Sequence, residues 1–144
     1  MKRFKIVFEN GYVLKATLLE EKSPKTCEAF WKSLPFNANF TQSRWSGREI
    51  NFEKSFISPL PAENQTIYTS IGEICYWKDM RGEASASPPQ AIAIYYGAEL
   101  ARSNKGEEIV NVFAQIDYEN IENLKNAGEE VWLEGVKEAY FDFL

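Results

Sequence analysis

A turn signal close to the N-terminus constrains the fold more than any other feature of the sequence. The dipeptide Asn10-Gly11 stands between two short runs, residues 4–8 and 12–18, in which apolar and polar residues alternate. An alternation of period two is typical of half-buried strands. Asparagine and glycine both tolerate the positive φ angles of a two-residue hairpin turn. The sequence therefore predicts that the chain opens with an antiparallel hairpin that has one buried face.

Two segments instead show helical spacing. Ser23-Pro24 combines a favoured cap with a proline whose missing N–H costs nothing in the first turn. Apolar residues then recur at helical spacing over residues 27–34, and a proline follows. A second helix is predicted over residues 118–127, with Gly128 as its left-handed C-terminal cap.

The rest of the chain consists mainly of short extended runs. Strands are predicted at residues 37–45, 48–56, 67–69, 74–77, 91–96, 109–116 and 131–143. Residues 78–90 are polar and rich in glycine and proline, which predicts a long loop, either a surface excursion or a lid over a site. Many short strands with only two helices favour a mainly β fold in a single domain over residues 1–144. We expect a closed antiparallel β-barrel of about eight strands, capped by two α-helices.

The absence of histidine limits the chemistry that this chain can perform. It excludes histidine acid–base catalysis, Ser-His and Cys-His nucleophiles, and most transition-metal sites. We therefore expect no metal and no cofactor. Any chemistry must come from carboxylates, Arg, Lys, Tyr, Ser, Cys or the backbone.

Net charge and hydropathy limit the classes of binding partner and the cellular compartment that we expect for this protein. The formal net charge is −5 and the basic residues are scattered, so a nucleic-acid partner is not expected. No apolar stretch is long enough to cross a bilayer, so no membrane association is expected. Glu9 interrupts the region where a signal peptide would be apolar. Cys27 and Cys75 lack metal spacing and are expected to be reduced and buried, as in a cytoplasmic protein.

The seven residues 43–49, Ser-Arg-Trp-Ser-Gly-Arg-Glu, concentrate chemically useful groups around one glycine. Arg44 and Arg48 could each bind a carboxylate bidentately, or they could form structural bridges to acidic residues such as Glu49. Trp45 could stack on a ligand or pack in the core. We take this segment as the candidate site, with Arg44 as the anchor.

A second candidate segment is Glu63-Asn64, in a loop flanked by prolines. The pair could orient a ligand or act in acid–base chemistry, or it could form a turn with a solvated carboxylate. Asn111 lies within an apolar strand and would need hydrogen-bond partners if buried. Arg44 and Glu63 are therefore the candidate catalytic residues. The candidate ligand-binding residues are Trp45, Ser46, Arg48, Asn64, Tyr96, Asn111 and Phe113.

The order of these motifs resembles a known family. The residues that carry the likeness are Ser-Pro-Lys-Thr-Cys-Glu-Ala-Phe-Trp at 23–31, Leu34-Pro35, Arg-Trp-Ser-Gly-Arg-Glu at 44–49, Glu63-Asn64, Tyr96-Gly97 and Asn-Val-Phe-Ala at 111–114. The sequence resembles DUF3830, a family of cyclophilin-like proteins of unknown function. The wider resemblance to cyclophilins implies a prolyl isomerase, in which Arg44 would match the catalytic arginine and Phe113 an aromatic of the proline pocket. However, Arg-Glu-Ile-Asn at 48–51 replaces the Gln-Gly-Gly-Asp segment of true isomerases.

Three functions remain open at this stage. The first is binding, or metal-free turnover, of a small carboxylate- or amide-containing metabolite around Arg44 and Glu63. The second is prolyl isomerisation of a peptide with Arg44. The third is a non-catalytic barrel whose exposed aromatic residues mediate self-association, for example as a homodimer.

Overall fold

The computed structural model describes residues 1–79 and 88–144, so part of the predicted loop at 78–90 lies outside the described residues. The strands are β1 Arg3–Phe8, β2 Val13–Leu18, β3 Phe36–Phe40, β4 Glu49–Glu53, β5 Gln65–Thr66, β6 Tyr68–Thr69, β7 Glu73–Lys78, β8 Gln90–Tyr95, β9 Glu99–Leu100, β10 Arg102–Ser103, β11 Gly106–Glu107, β12 Val110–Ile116 and β13 Lys137–Phe143. The helices are α1 Pro24–Ser33 and α2 Ile121–Glu134, the latter preceded by a 3₁₀ turn at Tyr118–Asn120. Neither helix has the length and apolar character that crossing a bilayer requires.

Eight of the strands form a nearly closed antiparallel barrel. They are hydrogen-bonded in the order β3-β13-β1-β2-β12-β7-β8-β4, and β5 adds a short pairing to β12. The two ends of this path, β3 and β4, approach each other at an isolated bridge between Thr41 and Asn51. The prediction of a mainly β barrel with two helices is confirmed. The description of the fold as cyclophilin-like stays a prediction.

The opening hairpin is confirmed, but its turn is longer than predicted. Val7 pairs with Val13, and the N–H of Phe8 donates to the carbonyl of Tyr12 at 2.8 Å. Three residues therefore connect the strands, with Gly11 at φ 98°. A three-residue hairpin needs a left-handed residue at its last position, which glycine adopts without steric cost.

Aromatic side chains fill the interior of the barrel. Phe30 of α1 inserts among strand residues, with its ring centroid 4.7 Å from that of Phe4 and 5.1 Å from that of Phe113. Phe141 lies at the centre of the same group and stacks on Phe36 at 4.6 Å. Such tilted and offset contacts add stability beyond the area that they bury. Helix α1 thus closes the barrel with a phenylalanine plug.

The second helix extends beyond the predicted end. Gly128 is an internal residue of α2, and the helix ends before Gly135, which has φ 99°. The prediction of Gly128 as the C-terminal cap is therefore wrong. A Cβ at Gly128 would lie within 3.0 Å of three carbon atoms of the Tyr96 ring. Glycine is present there because the helix packs directly on that ring.

A second, smaller apolar cluster lies outside the barrel wall. Side chains alternate across a strand, so Ile92 and Ile94 of β8 point into the barrel while Ala93 and Tyr95 point outward. The members of this outer cluster are Cys75, Ala93, Tyr95, Ala101, Val110 and Val112, with Leu19 and Trp77 packed against it. Cys27 and Cys75 are free and buried as predicted, and burial raises the pKa of each thiol.

Candidate functional site

A cavity of about 280 Å³ opens on the outer face of β4 and β8. Its floor is formed by Ala91 and Ala93, whose small side chains leave room above the sheet. Trp77 and Tyr95 add aromatic walls on the same face. An apolar, concave surface with a few polar groups is typical of small-molecule sites. We refer to this cavity as the outer pocket.

Strand register places acidic residues directly beside this floor. Glu49 of β4 pairs with Tyr95, and Glu53 pairs with Ala91. Because Ile50 and Phe52 point into the barrel, the alternate residues Glu49, Asn51 and Glu53 must point outward. All three line the outer pocket. The polar side chains on the outer face of β4 therefore lie beside the apolar pocket floor on β8.

The carboxyl group of Glu49 is the most unusual group in the pocket. The residue is only 4% exposed, and its Oε1 accepts a hydrogen bond of 2.7 Å from Nδ2 of Asn51. Burial raises the pKa of Glu49 to about 7, although hydrogen bonds from Asn51 and Ser46 and the charge of Arg102 oppose this change. The carboxyl group thus changes its charge near neutral pH. Titratable groups perturbed in this way, when they lie in a cleft, are candidates for a functional role.

Glu99 connects the two segments that cover the pocket. Its Oε2 accepts hydrogen bonds from Nε of Arg48 at 2.7 Å and from the backbone N–H of Arg48 at 3.1 Å. Its Oε1 lies 3.5 Å from Nη1 of Arg102. Partial burial opposes ionisation of Glu99, yet the Arg48 hydrogen bonds and the two guanidinium charges lower its pKa overall. A Cβ at Gly47 would lie 2.6 Å from the Glu99 carboxyl carbon, so glycine permits this contact.

The residues of the predicted segment 43–49 have different surroundings in the structure. Trp45 and Ser46 line the outer pocket, where Trp45 is 47% exposed and Ser46 is buried. Arg48 is an ion-pair partner of Glu99. Arg44 is exposed, does not line the pocket, and has no hydrogen bond or ion pair within residues 1–79 and 88–144. Part of the predicted segment therefore reaches a cavity, but the expected anchor does not.

Glu63 lies at the start of α1. Its carboxylate accepts hydrogen bonds from the backbone N–H groups of Lys25 at 3.0 Å and Thr26 at 2.9 Å. The predicted capping residue, Ser23, instead donates its hydroxyl hydrogen bond to the carbonyl of Val112 at 2.7 Å. An anionic group that accepts from free N–H groups stabilises a helix N-terminus. Glu63 thus has a structural role as a helix cap supplied by a distant loop. Ser23 stands at the N-cap position as predicted, but its side chain makes no capping hydrogen bond.

Asn64 and Asn111 belong to the same cap. Asn111 accepts a hydrogen bond of 3.2 Å from the N–H of Glu63 and donates one of 2.8 Å to the carbonyl of Pro61. Asn64 donates from Nδ2 to the carbonyl of Val112 at 2.9 Å. These contacts satisfy both amides without a ligand. The structure therefore brings Glu63, Asn64 and Asn111 together, and gives each of them a local partner.

The remaining two predicted site residues are packing residues. Phe113 is fully buried in the barrel interior beside Phe30. Tyr96 packs against Gly128, and its hydroxyl donates to Oε1 of Gln42. A pocket that unites Arg44, Glu63, Tyr96 and Asn111 is not supported by these contacts.

The pocket residues that sequence reasoning missed include Asn51, Trp77, Tyr95 and Arg102, while Glu49 and Glu53 were considered only as ion-pair partners of the two arginines. The available signal was the alternation Glu-Ile-Asn-Phe-Glu at 49–53, in which polar residues share one face. Within residues 1–79 and 88–144, no three His, Cys, Asp or Glu side chains are grouped closely enough to hold a metal ion.

Fold and site together define a nearly closed antiparallel barrel with a ligand-sized pocket on its outer wall. The chain belongs to DUF3830, described as a protein of unknown function, because the family model matches residues 7–143. A comparison with curated protein sequences yields no match.

Two solved structures have a similar fold. McbB in complex with tryptophan superposes with a TM-score of 0.73 at 17% identity, over 96% of this chain and 44% of McbB. The chain thus spans less than half the length of McbB. The hypothetical protein AF2241 from Archaeoglobus fulgidus, solved in solution, gives a TM-score of 0.61 at 21% identity, over 99% of this chain and 95% of AF2241. At these identities the likeness concerns the fold alone.

Proposed function

We propose that this protein binds a small organic molecule in the outer pocket. The observation that carries the proposal is the buried carboxyl group of Glu49 within a cavity whose floor and aromatic walls are apolar. Burial of an ionisable side chain without an ion partner is unfavourable for folding. Such an arrangement is more easily understood if it serves recognition than if it serves stability.

The cover of the pocket supports the same proposal. The loop at 43–48 and the segment around Arg102 lie over the sheet and are joined through Glu99. Hydrogen bonds and ion pairs of this kind hold a binding surface in one arrangement before a ligand arrives, which reduces the entropic cost of binding. Trp45 is half exposed at the rim, where its indole can contact an incoming molecule.

This proposal relocates the site expected from the sequence. Arg44 and Glu63 were expected to hold a carboxylate or an amide, but Glu63 caps α1. Within residues 1–79 and 88–144, Arg102 is the arginine that lines the pocket. Prolyl isomerisation would require an exposed aromatic surface at Phe113, which is fully buried.

A blocked-pocket variant tests the proposal. Ala91→Phe places a ring on the pocket floor, whereas Ala98→Phe places the same ring on an exposed position outside the lining. We would screen a fragment library by thermal shift, and include L-tryptophan because McbB was solved with it. We expect at least one fragment to stabilise the wild-type protein, Ala98→Phe and Arg44→Ala, but not Ala91→Phe.

The contrary outcomes are equally clear. Fragments that stabilise Ala91→Phe as much as the wild-type protein would place the binding site elsewhere. Loss of binding in Arg44→Ala alone would restore Arg44 as the anchor. Circular dichroism of each variant separates loss of binding from loss of fold.

A further inference from the structure

The charged groups of the outer pocket are unevenly balanced. Among the residues that the structure describes, its lining contains the carboxyl groups of Glu49, Glu53 and Glu108 and one cation, Arg102. Arg102 has an acidic neighbour of its own, since Glu99 lies 3.5 Å from its guanidinium. Glu49 is the most deeply buried of the three glutamates, at 4% exposed against 8% for Glu108, and it lies next to the apolar floor.

Glu49 has polar partners within the pocket. Asn51 donates to its Oε1 and the Ser46 hydroxyl is a second hydrogen-bonding partner, while within residues 1–79 and 88–144 no lysine or arginine forms an ion pair with the carboxylate. A buried carboxylate is stable only if it is paired or hydrogen-bonded, and a nearby cation favours its charged form. Within residues 1–79 and 88–144, the charge of Arg102 acts on Glu49, but its guanidinium forms no ion pair with this carboxylate and has Glu99 as its own acidic neighbour, so the described part of the pocket leaves Glu49 without a directly paired cation.

We propose that the ligand of the outer pocket carries a cationic amine, which pairs with the carboxylate of Glu49. This inference rests on the proposed function and specifies the class of its ligand. The aromatic walls fit the same class, because the faces of Trp45, Trp77 and Tyr95 attract cations as well as apolar groups. A carboxylate ligand would instead be repelled by Glu49.

The size of the cavity limits the rest of the molecule. A volume of about 280 Å³ equals the liquid volume of about nine water molecules. A ligand of roughly ten non-hydrogen atoms would therefore fill it. An aryl ring above Ala91 and Ala93, joined by a two-carbon chain to an ammonium group, matches this volume and this division into apolar and charged parts.

Pairing with Glu49 makes binding depend on pH. The titratable and charged groups that the structure describes around Glu49 are Glu53 on β4, Cys75 on β7, Tyr95 on β8, Tyr96 just after it, Glu99 on β9, Arg102 on β10 and Glu108 before β12. Burial raises the pKa of Cys75 and of Tyr95, so both stay neutral. Burial also raises the pKa of Glu49 to about 7, so an incoming ammonium must displace its proton below neutral pH. The competent fraction rises from about one tenth at pH 6 to about nine tenths at pH 8, so affinity should increase about tenfold.

Three isosteric probes test the inference. 2-Phenylethylamine is a cation, 2-phenylethanol is neutral and phenylacetate is an anion, while the aryl group is the same. By isothermal titration calorimetry we expect 2-phenylethylamine to bind at least tenfold more tightly than the other two at pH 8. Its affinity should fall about tenfold at pH 6, and near pH 7 the heat should depend on the buffer because a proton is released.

Two variants define the contribution of Glu49. Glu49→Gln should reduce the affinity for 2-phenylethylamine at least tenfold at pH 8 and abolish its pH dependence. Glu28→Gln removes an exposed carboxylate on α1, outside the pocket lining, and should bind as the wild-type protein does. Equal affinity for the three probes, absence of amine binding, or an unchanged Glu49→Gln would overturn the inference. If a neutral or anionic fragment still binds and is blocked by Ala91→Phe, the amine inference fails while the proposed function stands.

Discussion

The burial of Glu49 has a consequence for stability that can be measured without any ligand. In the folded protein the pKa of Glu49 is about 7, whereas a glutamate in an unfolded chain has a pKa of about 4.3. Between these values the folded state holds a proton that the unfolded state has lost. Stability therefore falls as pH rises through this window, and the contribution of Glu49 is most favourable at acidic pH.

Glu49→Gln removes this dependence while keeping the shape of the side chain and an oxygen that accepts from Asn51. Each pKa unit corresponds to about 1.4 kcal/mol. At pH 5 the folded state is protonated and the unfolded state is already partly ionised. At pH 8 both states are ionised, and the folded state bears the cost of a buried charge. The gain in unfolding free energy from Glu49→Gln should be larger at pH 8 than at pH 5 by about 2.5 kcal/mol.

Urea unfolding of the wild-type protein and the variant at both pH values gives this double difference. Because each comparison is made at a single pH, titration of other groups largely cancels. Glu53→Gln serves as the matched control, since Glu53 is four residues along the same strand but exposed. We expect its effect to be the same at pH 5 and pH 8. Equal effects of Glu49→Gln at the two pH values would refute the reasoning.

Other substitutions test the helices and the core. Glu63→Gln should lower the free energy of urea unfolding by about 1 kcal/mol, because α1 loses its charged cap. Glu28→Gln, at an exposed position on the same helix, should change it by less than about 0.5 kcal/mol. Similar values for the two variants would contradict the capping role of Glu63. Gly128→Ala should lower the thermal midpoint and reduce the free energy of unfolding by about 1 to 3 kcal/mol, because its Cβ would clash with the Tyr96 ring. A rise in stability, as expected for alanine in an exposed helix, would show that the helix does not pack tightly on this ring. Phe30→Ala should lose about 3 to 5 kcal/mol in the same urea assay, and a loss below 1 kcal/mol would show that α1 does not plug the barrel.

Local sequence patterns were sufficient to predict much of the fold. The hairpin at the N-terminus, helix α1 and the strand at 91–96 follow from periodicity and turn residues within a few positions of one another. Gly128 was misjudged because a glycine at that position is compatible both with a helix end and with close packing. Only the Tyr96 ring, far away in sequence, distinguishes the two.

The site was harder to predict because its properties arise from long-range contacts. Glu63 has the chemistry of a catalytic residue, yet it caps a helix that begins nearly forty residues earlier. The pKa of Glu49 is raised by burial, and that burial exists only in the folded chain, where residues distant in sequence such as Tyr95 and Arg102 line the same pocket. A residue's burial depends on what packs over it, and no local pattern contains that information. The sequence did single out residues 43–49, of which Trp45, Ser46 and Glu49 line the pocket, and their functional role stays a prediction.

The four tryptophans allow a direct test of whether the outer pocket is the binding site. Trp45 and Trp77 line the pocket, while Trp31 packs against Phe143 and Trp132 is exposed on α2. Each gives one indole N–H signal in a ¹⁵N-labelled NMR spectrum, assignable by single Trp→Phe variants. On addition of 2-phenylethylamine at pH 8, we predict that the signals of Trp45 and Trp77 shift and those of Trp31 and Trp132 do not. Shifts confined to Trp31 or Trp132, or no shift at any tryptophan, would contradict the account.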